Sequence, residues 1–108
     1  MPIHNKLVRD RIPEIIKSTG KLADTKILDE EEFVTELRRK SKEELDEFLN
    51  SETNEEALEE LADLLEIIHA LAKVHAASFD KVEQIRLKKA EERGSFEERI
   101  FLIEVLDE

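Results

Sequence analysis

Acidic side chains interrupt an apolar stripe in the first long helix that the sequence predicts. At 3.6 residues per turn, one stripe of this helix carries Phe33, Leu37, Ser41, Glu44 and Phe48. Glu44 therefore stands between apolar positions and is expected to face inward. Glu47 follows one turn later at the edge of the stripe, whereas Glu43 is rotated towards solvent.

A second stripe, on the next long helix, changes from acidic to apolar along its length. Its members are Glu56, Glu60, Asp63, Ile67 and Val74. A row whose later members are buried is not expected to leave its earlier members fully exposed, so Glu60 and Asp63 should face inward. Glu59 and Glu66 fall on the opposite side of the helix. If the two helices are antiparallel neighbours, four carboxylates converge: Glu44, Glu47, Glu60 and Asp63.

Such a cluster of carboxylates is unfavourable without a cation, because like charges repel and burial raises their cost. Mg²⁺ fits the cluster best, with Mn²⁺ as a substitute, since it takes oxygen ligands and bridges carboxylates to phosphates. The predicted cluster has no histidine, which weighs against zinc and against a di-iron site. The alternative is that these acids only pair with Lys and Arg along charged helices. The spacing alone leaves both interpretations open.

The elements that would position these acids are long helices joined by short polar loops, since the chain has only two Gly and two Pro. Asp29 is a plausible N-cap, as are Thr53 or Asn54 and Ser78. The predicted helices span about 11–18, 30–49, 55–77 and 79–92, and Gly94 ends the last one. The apolar segment 100–106 is compatible with a strand or a short helix, and we expect it to be extended.

The sequence thus predicts a single all-α domain over residues 1–108, with a helical hairpin core and additional short helices. The apolar arc on the second long helix, from Leu58 through Leu61 and Leu64 to Ile67, is wider than one neighbouring helix can cover. We therefore expect assembly into an oligomeric helical bundle.

Charge and composition limit the classes of partner. A net charge of −11 opposes binding to nucleic acid polymers or anionic membranes. The chain has no cysteine, which excludes disulfides and cysteine nucleophiles, and it has no apolar stretch near 18 residues. We expect a soluble cytoplasmic protein.

Two basic groups are candidates for binding phosphate despite this overall charge. Arg86, Lys89 and Arg93 share one row of the last predicted helix, and Lys6 and Arg9 precede the first. Their alternative role is to offset nearby acids on the surface. The two histidines of the second long helix, His69 and His75, are predicted to be packing residues.

The acidic motif reads Glu44-Leu-Asp-Glu47 on one helix and Glu60-Leu-Ala-Asp63 on the next, and the chain opens with Asn5-Lys-Leu-Val-Arg-Asp-Arg-Ile-Pro-Glu-Ile-Ile16. In these segments, and in Arg93-Gly-Ser-Phe96, it resembles MazG-like and phosphoribosyl-ATP pyrophosphohydrolase-like members of the all-α NTP pyrophosphohydrolase superfamily. The resemblance spans most of the chain.

This resemblance implies Mg²⁺-dependent cleavage of a nucleoside triphosphate between its α- and β-phosphates, as house-cleaning of non-canonical nucleotides. It implies that all four acids bind metal, that Glu44 or Glu47 activates water, and that the chains form a homodimer or homotetramer. Two alternatives stay open: a phosphoribosyl-ATP pyrophosphohydrolase of histidine biosynthesis, and a non-catalytic helical assembly module.

Overall fold

The computed structural model describes residues 3–107, and within this range the chain forms four α-helices and no strand. The helices are α1 (Ile12–Ser18), α2 (Glu30–Leu49), α3 (Asn54–Val74) and α4 (Phe79–Arg93). The predicted all-α class is confirmed. In the described part of the chain, no helix is both long and apolar enough to cross a membrane.

The long helices begin at the predicted polar caps. The Asp29 carboxylate accepts a hydrogen bond from the backbone N–H of Glu32 at 2.8 Å, and the Thr53 hydroxyl accepts one from that of Glu56 at 3.1 Å. Each bond satisfies a backbone donor that the first helical turn leaves without a partner. Ser78 also stands at the predicted cap position of α4, but its side chain makes no capping hydrogen bond.

The end of α3 differs from the prediction, because the helix stops at Val74 rather than near Ala77. Ala76 adopts a left-handed conformation with φ of 57°. Its N–H donates to the carbonyl of Lys73 at 3.1 Å, and the N–H of Ala77 donates to that of Ala72 at 2.9 Å. This pair of bonds is a Schellman terminus, in which glycine is the usual left-handed residue. Alanine in that place carries no stop signal in the sequence.

The C-terminal segment, residues 94–107, forms neither of the two elements left open for it, a strand or a short helix. The apolar side chains of Ile100, Phe101 and Ile103 are exposed, as is that of Phe96. A β-strand needs a neighbouring strand to take its backbone hydrogen bonds, and residues 3–107 supply none.

The packing of one chain leaves much of its surface open. α2 packs along α3, and α3 packs against α4, whereas α1 contacts no other helix in the described range. The buried hydrophobic side chains of residues 3–107 are those of Leu37, Ile67 and Ala72. The accessible surface is 10386 Å², against about 6,200 Å² for a compact monomer of 12.6 kDa. The radius of gyration, 18.8 Å, likewise exceeds the value of about 13 Å for a compact chain of this length.

Replacing Ala76 by glycine should stabilise the protein, although glycine usually destabilises the interior of a helix. The left-handed conformation costs an L-residue roughly 1–2 kcal/mol, so Ala76→Gly is expected to raise the free energy of unfolding by about 1 kcal/mol. Urea unfolding at fixed protein concentration measures the change. Ala77→Gly is the matched control, because Ala77 has no left-handed backbone, and it should lower stability. The prediction is wrong if both variants lower it.

Candidate metal centre

Three carboxylates meet where α2 packs against α3. Glu44 and Glu47 lie one turn apart on α2, and Glu60 lies on α3. Each offers an oxygen, and the three oxygens lie within 4.8 Å of one another. We call Glu44, Glu47 and Glu60 the acidic cluster. Its donor set is made only of oxygen, the type of ligand that Mg²⁺ and Mn²⁺ prefer.

Glu44 is the most deeply buried member of the acidic cluster, with 7% of its surface exposed. Its Oε2 atom is buried and, among the described residues, has no hydrogen-bond partner; the same holds for Oε2 of Glu60. A buried acceptor without a donor is costly, and a buried charge is more so. A proton or a cation between these two helices would remove that cost. The acidic cluster therefore fits a bound metal ion.

Lys40 gives partial charge compensation that the sequence reasoning missed. Its Nζ atom lies 3.7 Å from Oε1 of Glu44, one helical turn away on α2. The i,i+4 spacing was visible in the sequence, but only the burial of both side chains sets this pair apart from the surface pairs. Lys40 contacts Oε1 and leaves Oε2 without a partner.

Burial and the repulsion between neighbouring carboxylates raise the pKa values of Glu44 and Glu60. Burial is the main cause that raises the pKa of Glu44, and the nearby carboxylates of Glu47 and Asp63 raise it further. The pKa of Glu60 rises to about 7, first through burial and then through contact with the carboxylates of Glu44 and Glu47. Near neutral pH, Glu60 therefore holds a proton part of the time. A cation that occupies the cluster must displace this proton.

Asp63 is not brought into the acidic cluster. Its Oδ1 atom accepts a hydrogen bond from Nη2 of Arg9 at 2.7 Å, and both side chains are about half exposed. The structure thus joins a predicted metal ligand to a predicted phosphate-binding residue.

The basic residues predicted for phosphate lie in two places. Lys6 lies beside α2, in a crevice that Lys40 and Glu43 also line. Arg86 instead pairs with Glu83 on its own helix, and this guanidinium holds the pKa of Glu83 below its usual range. Lys89 and Arg93 are exposed on α4. Over residues 3–107, no ion pair or hydrogen bond joins the basic residues of α4, Arg86, Lys89 and Arg93, to the acidic cluster.

Helical phase predicted the orientation of most of these acids, but not that of Glu47. Glu44 is buried and Glu60 is half-buried, whereas Glu43, Glu59 and Glu66 are exposed as predicted. Glu47, placed at the edge of its stripe, is also exposed. It borders an open depression of about 420 Å³ that is lined by α2 side chains. The acidic cluster is therefore open to solvent on the side of Glu47.

The two histidines of the predicted second helix lie away from the acidic cluster. The ring of His69 stacks on that of Phe79 with centroids 3.9 Å apart, which joins α3 to α4. His75 follows the last residue of α3 and is exposed. His69 has the packing role that the sequence predicted.

Comparison with family models, with curated proteins and with solved structures found no match to this chain. The resemblance to the NTP pyrophosphohydrolase superfamily therefore rests on the motif residues quoted above, and the geometry of the acidic cluster stands independently of it.

Without divalent cations, Glu60→Gln should stabilise the protein more at about pH 7.5 than at about pH 5. A carboxyl whose pKa rises on folding from 4.5 to about 7 binds more protons in the folded state between these values. The free energy of unfolding of the wild type therefore falls as pH rises through this window, and glutamine removes this contribution. Thermal melting of Glu60→Gln and of the wild type in EDTA, at both pH values, measures the difference in stability.

Glu59→Gln is the control for this prediction, since Glu59 precedes Glu60 on α3 but is exposed and outside the cluster. Its melting temperature should follow pH as that of the wild type does. If the melting temperatures of Glu59→Gln and Glu60→Gln depended on pH in the same way, the raised pKa of Glu60 would be contradicted.

Proposed function

We propose that this protein is a Mg²⁺-dependent nucleoside triphosphate pyrophosphohydrolase, which releases a nucleoside monophosphate and pyrophosphate. The observation that carries the proposal is that Oε2 of Glu44 and Oε2 of Glu60 are both buried without a hydrogen-bond partner in the described range, while the two carboxylates belong to one cluster whose oxygens lie within 4.8 Å of one another. Carboxylates are not expected to be buried together in this way unless a cation joins them or one of them is protonated, and a divalent cation can compensate all three at once. The motif resemblance supplies the reaction.

The requirement for a metal follows from the negative charge of both the protein and its triphosphate substrate. The chain carries a net charge of −11, so a triphosphate meets an unfavourable field before it reaches the acids. Mg²⁺, or Mn²⁺ in its place, would be held by Glu44, Glu47 and Glu60, with Asp63 as a fourth ligand. When bound, the ion supplies positive charge to the phosphate oxygens and makes a water molecule more acidic.

Glu47 is the best placed of the acids to take a proton from water. Glu44 is buried and contacts Lys40, whereas Glu47 is exposed at the open side of the cluster. We assign Glu44 to metal binding and to the support of Glu47. Water attacks phosphorus and its proton passes to the Glu47 carboxylate, while the bond from phosphorus to the pyrophosphate oxygen breaks. The bond broken lies between the α- and β-phosphates.

The phosphates need positive charge from side chains as well as from the metal. Arg9 and Lys6 lie near the acidic cluster of their own chain. We assign Arg86, Lys89 and Arg93 to phosphates bound by a neighbouring chain, since their own helix makes no polar contact with the cluster in the described residues. Nucleotide is the only partner proposed besides further copies of this chain.

A second copy of the chain also follows from the exposed area. The surface exceeds that of a compact monomer by about 4,000 Å² per chain, which is more than the roughly 1,000–2,500 Å² that each chain contributes to an obligate interface. Leu58, Leu61 and Leu65 of α3 remain exposed, so α3 presents an uncovered apolar face. We infer that α2 and α3 form the antiparallel hairpin core of a homodimeric or homotetrameric bundle.

Light scattering after size exclusion should give the mass of two or four chains. Leu61→Asp is expected to shift this mass towards one chain, because a carboxylate would be buried in the apolar interface. Leu22→Asp makes the same chemical change at an exposed leucine outside the helices and should leave the mass unchanged. A monomeric wild type would contradict the proposed assembly.

Pyrophosphate release should depend on Mg²⁺ and on the acidic cluster. Glu47→Gln and Glu60→Gln are expected to lower the rate by at least roughly 100-fold, the lower end for loss of a positioned acid or base. Asp63→Asn should also lower it. The assay covers canonical and modified nucleoside triphosphates, dUTP and phosphoribosyl-ATP, and exclusive cleavage of phosphoribosyl-ATP would favour the histidine-biosynthesis alternative.

Glu66→Gln is the matched control for these variants, since it removes one carboxylate from the exposed side of α3. Its rate should equal that of the wild type. The non-catalytic alternative predicts no release from any substrate and no Mg²⁺-dependent rise in melting temperature, whereas a site that binds only the folded state raises it by mass action. Unchanged release in Glu60→Gln would show that the proposed site is wrong.

A further inference from the structure

We propose that Arg9 is a positioning residue that holds Asp63 away from the acidic cluster, and that metal binding transfers Asp63 to the metal and Arg9 to the substrate phosphates. This inference rests on the proposed function. It explains why one predicted metal ligand lies outside the cluster.

The Arg9–Asp63 hydrogen bond is unlike the other side-chain hydrogen bonds in residues 3–107. It joins residues 54 positions apart in the sequence, whereas the other bonds join residues three or four positions apart. It therefore links the irregular N-terminal segment to α3. Asp63 lies one helical turn after Glu60, so Arg9 is held at the border of the acidic cluster.

The N-terminal segment crosses both helices that carry the acids. Asn5, Lys6 and Leu7 line a crevice with Lys40 and Glu43 of α2, and Arg9 then reaches α3. Lys40 is the residue that contacts the buried Glu44. The segment thus lies beside the cluster on α2 and on α3, which places its positive charges where a polyphosphate would meet the metal.

Asp63 must change partner to become a metal ligand. Its oxygens are not among the three that lie within 4.8 Å of one another, and Oδ1 is engaged by Arg9. The ion pair is half exposed, with 55% of the arginine side chain and 42% of the aspartate side chain open to solvent. Exposed pairs of this kind are weak, so a divalent cation can displace the guanidinium. The freed guanidinium matches the geometry of a phosphate, to which it donates two parallel hydrogen bonds.

The exchange predicts a gain of metal affinity when Arg9 is removed, which a purely structural contact would not give. In titration calorimetry without nucleotide, Arg9→Gln should bind Mg²⁺ about threefold to fivefold more tightly than the wild type, because Asp63 is already free. Arg11→Gln removes the same positive charge two residues away from Arg9 but does not free Asp63. Its smaller effect on Mg²⁺ affinity therefore measures the contribution of long-range electrostatics alone. The exchange is overturned if Arg9→Gln binds Mg²⁺ no more tightly than Arg11→Gln.

A double-mutant cycle tests whether Asp63 is the residue through which Arg9 acts. Asp63→Asn should weaken Mg²⁺ binding, and in that background Arg9→Gln should give no further gain in affinity beyond that of Arg11→Gln. An equal gain with and without the Asp63 carboxylate would overturn the exchange. Circular dichroism should show the same helix content in each variant. Arg9 lies outside the helices, so its replacement is not expected to change this content.

Inorganic pyrophosphate at saturating Mg²⁺ tests the second half of the exchange. Arg9→Gln should bind pyrophosphate at least about tenfold more weakly than the wild type, since tenfold is the lower end for the loss of a single hydrogen bond between charged groups. Unchanged pyrophosphate affinity would overturn the transfer of Arg9 to phosphate. A wild type that bound no Mg²⁺ would instead overturn the proposed function, so the two failures are distinguishable.

Discussion

The burial of the Glu44 carboxylate against α3 is the constraint on which the rest of the site depends. Glu44 interrupts the apolar stripe of α2 at the place where α3 presents Glu60, so the two helices cannot pack there without bringing carboxylates together. Lys40 compensates one oxygen of Glu44 and leaves the other without a partner in the described chain. Such a cluster is destabilising while its carboxylates are ionised and uncompensated, so the proposed metal binding would be coupled to the packing of α2 on α3.

The open shape of the chain and the acidic cluster belong to the same arrangement. Apolar surface remains exposed on α3 beyond the part that α2 and α4 cover, and the C-terminal segment adds more. The proposed assembly would bury this surface, whereas Glu47 is exposed at the edge of the acidic cluster. The basic residues of α4, which make no polar contact with the cluster in residues 3–107, acquire a role only if chains assemble.

Much of the helical architecture was predictable because local signals agree. Asp29 and Thr53 cap their helices through their own side chains, and the phase of α2 predicts that Glu44 is inside and Glu43 outside. The end of α3 was not predictable, because Ala76 takes a left-handed conformation that normally calls for glycine. Local signals left the C-terminal segment open between a strand and a short helix, and the described chain forms neither there.

By itself, the sequence determined that Glu44 and Glu60 face inward and that Glu43, Glu59 and Glu66 face outward, because helical phase depends only on spacing along one helix and on the neighbouring apolar residues. Only the tertiary structure decided which inward acids meet. It brings Glu60 to Glu44 and Glu47, and it directs Asp63 to Arg9, a partner 54 residues earlier in the chain. Contacts between distant segments depend on how helices and loops pack in three dimensions, and the periodicity of a single helix contains no information about them.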